Sequence, residues 1–200
     1  MLLYLIRHGE KASKKENVMD IELTSMGFRQ AELVGRRLAD ERIERIYTSD
    51  MIRAVQTAEK INEFLNVPLV IRSNLREIDM GECEALGWEQ AYERHPEFKE
   101  AFRRHNADVP YPGGESGEDV WNRARQTMEE IEQSGLRRVA VVAHGGTIRS
   151  ILCGALDIPQ ARRFFLGNPP EHCGISILEW TNGHYYLRLF NDFAHLGDLH

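Results

Sequence analysis

Short apolar runs alternate along the chain with longer stretches whose apolar residues recur at helical spacing, the pattern of an α/β protein. Residues 2–6, Leu-Leu-Tyr-Leu-Ile, read as a buried strand. Thr24 or Ser25 caps a helix whose apolar stripe is Phe28, Ala31, Val34 and Leu38. A second short strand is expected at Ile43–Tyr47, then a helix over 50–65 carrying Ile52, Val55, Ala58 or Glu59, Ile61 and Leu65 along one side and stopped by Asn66-Val67-Pro68. Leu69-Val70-Ile71 is a third strand. Residues 76–115 break the rhythm: they hold Pro96, Pro110 and Pro112 and many charges, and read as one or two helices and long loops.

Ser116 and Asp119 have capping-box spacing and open a helix over 118–132, with Gly135 as its stop. Val139-Ala140-Val141-Val142-Ala143 has no polar interruption, as expected of a central parallel strand, and a helix begins near Thr147. Ile175–Trp180 and Tyr185–Phe190 flank Thr181-Asn182-Gly183, a hairpin signal. The expected fold is a three-layer α/β/α sandwich, with a mostly parallel central sheet and an antiparallel edge. It forms a single domain over 1–200 with a small cap inserted at about 78–115. The aromatic residues of that cap, Trp88, Tyr92, Phe98, Phe102 and Tyr111, with His105, set specificity or pack the cap onto the body; Arg103-Arg104 contacts a second anionic group or is exposed.

Composition narrows the function. With 42% apolar and 28% charged residues the 200-residue chain is globular rather than disordered. Its net charge of −6 is opposite to the basic excess of a duplex-DNA binder, so nucleic acid is not an expected partner. The apolar run before Arg7 is too short for a signal-peptide core, and no stretch approaches a membrane span. Cys83, Cys153 and Cys173 lack any CxxC spacing and read as reduced thiols, so a cytoplasmic location is expected.

The chemistry gathers at strand ends. Arg7-His8-Gly9-Glu10 follows the first strand directly, and His144-Gly145-Gly146 follows the fourth. Ligands of open α/β sheets bind beyond the carboxyl ends of the strands, so if these two strands are neighbours both histidines face one pocket. The glycines let the backbone approach a ligand, and the helix near Thr147 points its positive end there, which suits an anion. Arg53, one turn into the helix after the second strand, joins Arg7 as a second planar fork matched to phosphate oxygens. After the third strand comes Glu77, poorly suited to hold an anion but well suited to give a proton to a leaving group. Each of these residues alone has an ordinary structural explanation; their coincidence at one end of the sheet favours function. His8, Glu10, Asp20 and His144 have no local metal-ligand spacing, and adjacent arginines disfavour a cation, so no metal is expected. Neither GxxxxGK[ST] nor GxGxxG is present, and no cofactor is expected.

Arg7-His8-Gly9-Glu10 resembles the signature of the histidine phosphatase superfamily, the phosphoglycerate-mutase-like proteins. So do Leu23-Thr24 with Gly27 and Gln30-Ala31, Ser49 with Arg53, Gln56, Thr57 and Ala58, and Leu75-Arg76-Glu77-Ile78. Pro112-Gly113-Gly114-Glu115-Ser116 and His144-Gly145-Gly146 with Ile148-Arg149 complete a resemblance that spans nearly the whole chain. It implies that His8 is the nucleophile forming a phosphohistidine, that Arg7, Arg53 and His144 hold the phosphoryl oxygens, and that Glu77 is the acid and then the base, with no metal. Gly145, Lys11 and Lys14 are further candidates for binding phosphate or substrate. The short stretch between Glu77 and Pro112, and the ending Asn191-Asp192-Phe193-Ala194-His195-Leu196, resemble the phosphatase branch, with its broad-specificity and α-ribazole phosphatases.

The expected activity is therefore hydrolysis of small phosphorylated metabolites. The alternatives are mutase-type phosphotransfer and a non-catalytic member that binds a phosphorylated ligand. Many members of the family read RHGET-x-W-N, with the Asn on the phosphate, where this chain has Lys11, Ala12, Ser13 and Lys14. The two lysines add positive charge that would steer an anion to the pocket mouth. The edge hairpin, with Trp180, Tyr185 and Tyr186, either supports a homodimer or is covered within the chain.

Overall fold

Alternation along the central strands decides which helices lie where. The computed structural model describes residues 1–12, 21–166 and 170–199. In β1 (Leu2–Arg7) Tyr4 and Ile6 face one side and Leu3 and Leu5 the other, all buried. The first side receives α1 (Ser25–Leu38) and α2 (Ile52–Leu65) through Ala31, Val34, Leu38, Ala54, Ala58 and Ile61. The second receives α6 (Gly117–Gln133) and α7 (Gly145–Ala155) through Ala124, Met128, Ile131, Ile148, Ile151 and Leu152. A strand buried on both faces must be apolar throughout, which is why β1 and β4 (Arg138–Ala143) are the purest apolar runs in the chain.

Among the described residues six strands form one sheet. It includes β2 (Arg45–Thr48), β3 (Leu69–Ile71), β5 (Ile175–Thr181) and β6 (His184–Asp192), in the order β3-β2-β4-β1-β5-β6. β3, β2, β4 and β1 are mutually parallel; β5 runs antiparallel to β1, and β6 to β5. This is the three-layer sandwich with an antiparallel edge that the pattern predicts. The hairpin turn has Asn182 at φ 51° and Gly183 at φ 79°, the pair of left-handed residues that matches the twist of two-residue hairpins. Among the described residues no helix is long and apolar enough to cross a membrane.

Several local expectations shift. Thr24 is the cap of α1, its side chain accepting the N–H of Gly27. Phe28 does not join the inner stripe and is exposed. Gly27 lies against the backbone of Glu10, where a Cβ would come within 2.2 Å of the carbonyl oxygen, and a residue one position further is turned about 100° away. α2 begins at Ile52 rather than Asp50, whose carboxylate pairs with Arg76. Between 76 and 115 stand three short helices instead of one or two, α3 (Glu82–Ala85), α4 (Trp88–Arg94) and α5 (Pro96–Arg104). Gly87 at φ 88° separates the first two, and Pro96 forces His95 out of helical geometry between the second pair. They share a small core of Cys83, Ala91, Phe98, Tyr111 and Val120. Ser116 and Asp119 form the expected capping box, and α7 starts at Gly145, two residues before Thr147.

Candidate active site

β1 and β4 are in register to their last residues, Arg7 opposite Ala143, so His8 and His144 leave the sheet at the same level. The backbone N–H of His8 still donates to the Ala143 carbonyl at 2.9 Å. The two imidazoles stand edge to face with centroids 5.1 Å apart, and both are buried. The expectation that neighbouring strands would bring these residues together across 136 positions is met.

Hydrogen bonding fixes the chemical form of His8. Nδ1 lies 2.7 Å from the Gly9 carbonyl oxygen, which can only accept, so Nδ1 carries the proton. Nε2 then presents its lone pair, and Arg53 Nε donates to it at 3.3 Å. Burial first, then the charges of Arg53 and Arg7, hold the His8 imidazole well below its ordinary pKa, so it is neutral. An unprotonated Nε2 beside two guanidiniums is a nucleophile aimed at an anionic centre.

The loop that carries His8 is braced from both sides. Thr57 Oγ1 accepts the Gly9 N–H at 3.0 Å and donates to the Arg53 carbonyl at 2.7 Å. Gly9 touches Gly27 so closely that a Cβ would meet its carbonyl oxygen at 2.5 Å. Gln30 accepts the Glu10 N–H at 2.9 Å and donates to the Leu199 carbonyl at 2.8 Å, tying this loop to the C-terminal segment. Glu10 itself turns away from the cleft to accept the hydroxyl of Thr24 at 2.7 Å.

Arg7, His8, Arg53 and Glu77 line one cleft of about 800 Å³. Lys11 is at its mouth, where burial lowers its pKa. Lys14, like Asp20, lies outside the described residues. His144 is wholly buried behind His8, and neither of its ring nitrogens has a hydrogen-bond partner among the described residues. Burial and the neighbouring His8 hold its pKa well down. Gly145 lines a smaller pocket that opens beside the cleft.

Glu77 is held by the start of α7. Its carboxylate accepts N–H groups from Thr147 at 3.1 Å, Gly146 at 3.3 Å and Ile78 at 2.9 Å. The positive end of α7 does meet an anion, but that anion is the protein's own Glu77 carboxylate. Neither nearby arginine is its partner, since Arg76 pairs with Asp50 and Arg72 with Glu130. Arg103 lies over the Tyr92 ring and Arg104 pairs with Glu100, and neither lines the cleft.

Sequence reasoning missed two residues. Arg123 of α6 bonds the carbonyls of Asn74 at 2.7 Å and Glu77 at 3.1 Å while pairing with Glu115, and so fixes the loop bearing Glu77. His172 approaches His8 to 5.6 Å between centroids, its pKa lowered to about 4, mainly by burial and then by Arg7. Its neighbour Pro170 accepts from Arg7 Nη1 at 2.5 Å. Among the described residues no group of three or more His, Cys, Asp or Glu converges as a metal site.

The family model for the histidine phosphatase superfamily (branch 1) matches residues 3–193. Phosphoserine phosphatase 1 of Hydrogenobacter thermophilus is 26% identical over 99% of this chain and 95% of its own. Phosphoglycerate mutase-like protein 4 of Arabidopsis thaliana is 33% identical over 80% of this chain and 73% of its own. Among solved structures, a mycobacterial glucosyl-3-phosphoglycerate phosphatase superposes with a TM-score of 0.83 at 27% identity, covering 95% of this chain and 98% of that one. The chain with paired histidines at the ends of β1 and β4 therefore belongs to the histidine phosphatase superfamily, branch 1, and is a phosphatase of that type.

Proposed function

We propose that the protein is a metal-independent phosphomonoesterase that acts on small phosphorylated metabolites through a phosphohistidine. The observation that carries this reading is the neutral His8, whose Nε2 lone pair lies beside Arg53 in a cleft that also presents Arg7 and Glu77. In the first step Nε2 forms a bond to phosphorus while the ester P–O bond breaks, and Glu77 gives its proton to the departing oxygen. In the second step Glu77 takes a proton from water, whose oxygen displaces His8 and releases inorganic phosphate. Arg7 and Arg53 neutralise the phosphoryl oxygens in both steps, the work of positioning and charge stabilisation on which phosphoryl transfer rests. His144, whose ring nitrogens have no partner among the described residues, supplies a further polar contact. A curated relative described as a metal-independent phosphoserine phosphatase supports the absence of a metal from this scheme. The buried free thiols of Cys83, Cys153 and Cys173 suit a reducing compartment.

The test is phosphate release in EDTA from phosphoglycerates, phosphoserine, a ribazole phosphate and an aryl phosphate, with His8→Ala alongside. Release by the wild type and none by the variant supports the reading. Release that stops in EDTA, or survives the substitution, overturns it. Transfer of the phosphoryl group to a sugar or glycerate hydroxyl without net release would make the enzyme a mutase.

A further inference from the structure

Arg53 is oriented from the start of its own helix. Its Nε donates to His8 at 3.3 Å, and Nη2, on the same edge of the guanidinium, donates to the Met51 thioether sulfur at 3.3 Å. Two bonds along one edge fix the plane of the fork. Residues two apart within a helix do not face each other, so this contact needs a special backbone. Met51 supplies it as the N-cap of α2, extended at φ −71° and ψ 131°. Its side chain makes no capping bond to the helix N–H groups and folds instead across the first turn onto Arg53. Met51 also lines the cleft, where it is only 5% exposed.

The kind of acceptor matters. Arg72, Arg76, Arg123 and Arg163 each pair with a carboxylate, which offsets their charge. The two arginines beside His8 each give an Nη to a neutral acceptor, Arg7 to the Pro170 carbonyl and Arg53 to a thioether. A neutral acceptor directs a guanidinium and leaves its charge for an incoming anion. Sulfur is a weak, polarisable acceptor, so it orients the fork while competing little with phosphoryl oxygens.

Resting on the phosphatase reading above, we propose that Met51 is a positioning residue for phosphoryl transfer. Its thioether sets the orientation in which Arg53 meets the phosphoryl group at His8, and does so without neutralising the guanidinium.

The test measures kcat and KM on 4-nitrophenyl phosphate and phosphoserine, inhibition by orthovanadate, and thermal melts, for the wild type, Met51→Leu, Met51→Gln and Met51→Glu. The first substitution keeps the volume and removes the acceptor. The second matches the length of the side chain and supplies a neutral oxygen; the third supplies a charged one. Met51→Leu should lower kcat by about 3- to 10-fold, the size of one modest hydrogen bond. Vanadate inhibition should weaken by a similar factor, because both report on Arg53 against a phosphoryl-like group. Met51→Gln should exceed Met51→Leu in both readouts, and Met51→Glu should fall below it. A residue that only packs the cleft wall would reverse the first ranking, since the leucine variant fills apolar space better. Met51→Leu equal to the wild type in kcat and vanadate inhibition, Met51→Gln below Met51→Leu, or Met51→Glu matching Met51→Gln overturns the role of Met51 and leaves the phosphatase reading intact. Failure of the wild type to hydrolyse either ester overturns the phosphatase reading and this inference with it. Should Met51→Gln not fold, Met51→Leu and Met51→Glu against the wild type decide the matter.

Discussion

The carboxylate of Glu77 rests on the first turn of α7, accepting the Thr147 backbone N–H at 3.1 Å. The helix end that commonly seats a phosphate is thus occupied by the group assigned to proton transfer. The substrate's phosphoryl oxygens are left to side chains. Glu77→Gln keeps an oxygen for Thr147 and should fold normally. It should lower kcat by about 10²- to 10⁴-fold on alkyl phosphates and much less on 4-nitrophenyl phosphate, whose leaving group needs no proton. Equal losses on both ester types would remove Glu77 from the acid role.

His144 keeps two buried ring nitrogens without partners among the described residues, a cost to the folded state that a bound phosphate can offset. His144→Phe should leave the apo protein as stable or up to about 2 kcal/mol more stable. It should also abolish most of the rise in Tm that orthovanadate or inorganic phosphate gives the wild type, and lower kcat by about 10²-fold. Thermal melts with and without phosphate check this; an unchanged phosphate shift would place His144 outside the oxyanion contacts.

Acid should destabilise the fold through histidine. His8, His144 and His172 all have lowered pKa values, that of His172 to about 4. Below the unfolded value near 6.5 the unfolded chain binds protons that the native state refuses, so stability falls as pH drops from about 6.5 towards 4. Three such groups give a slope of up to about 4 kcal/mol per pH unit. Urea titrations between pH 4.5 and 8 measure it, and stability independent of pH across that window would contradict the burial of neutral rings. The same depression predicts that kcat/KM shows no loss from His8 protonation at pH 6.

Gly27→Ala places a methyl group within 2.2 Å of the Glu10 carbonyl oxygen. The backbone of the nucleophile loop cannot yield without moving Gly9. The expected result is a loss of about 1–3 kcal/mol in urea unfolding, together with a fall in kcat. Gly183→Ala in the hairpin turn, far from the site, should cost stability without the kinetic effect.

The positions of His8, Arg7, Arg53, Glu77 and His144 were legible because each ends or follows a strand, and in a parallel sheet strand ends share one edge. The same rule concealed His172. β5 is antiparallel, so its beginning rather than its end lies at that edge, and the segment before Ile175 reaches Arg7 and His8. The signal was present in the hairpin pattern, which already implied a reversed strand. Phe28 was misplaced because helical spacing alone does not reveal that Gly27 must press on a loop. Arg123 was illegible because its partners are backbone carbonyls, which carry no residue identity. The cap's helices were blurred by length, since α3 spans only Glu82–Ala85.

The strand order also sets a timetable. β1 sits in the interior of the sheet, yet its partners are β4, beginning at Arg138, and β5, beginning at Ile175. During synthesis the Leu-Leu-Tyr-Leu-Ile segment has no neighbour to pair with until well over a hundred further residues have been made. At about 5–20 residues per second that wait lasts on the order of ten seconds. The strand that leads into His8 therefore stays unpaired on the nascent chain until β4 and β5 have been made, and the cleft takes shape only after them.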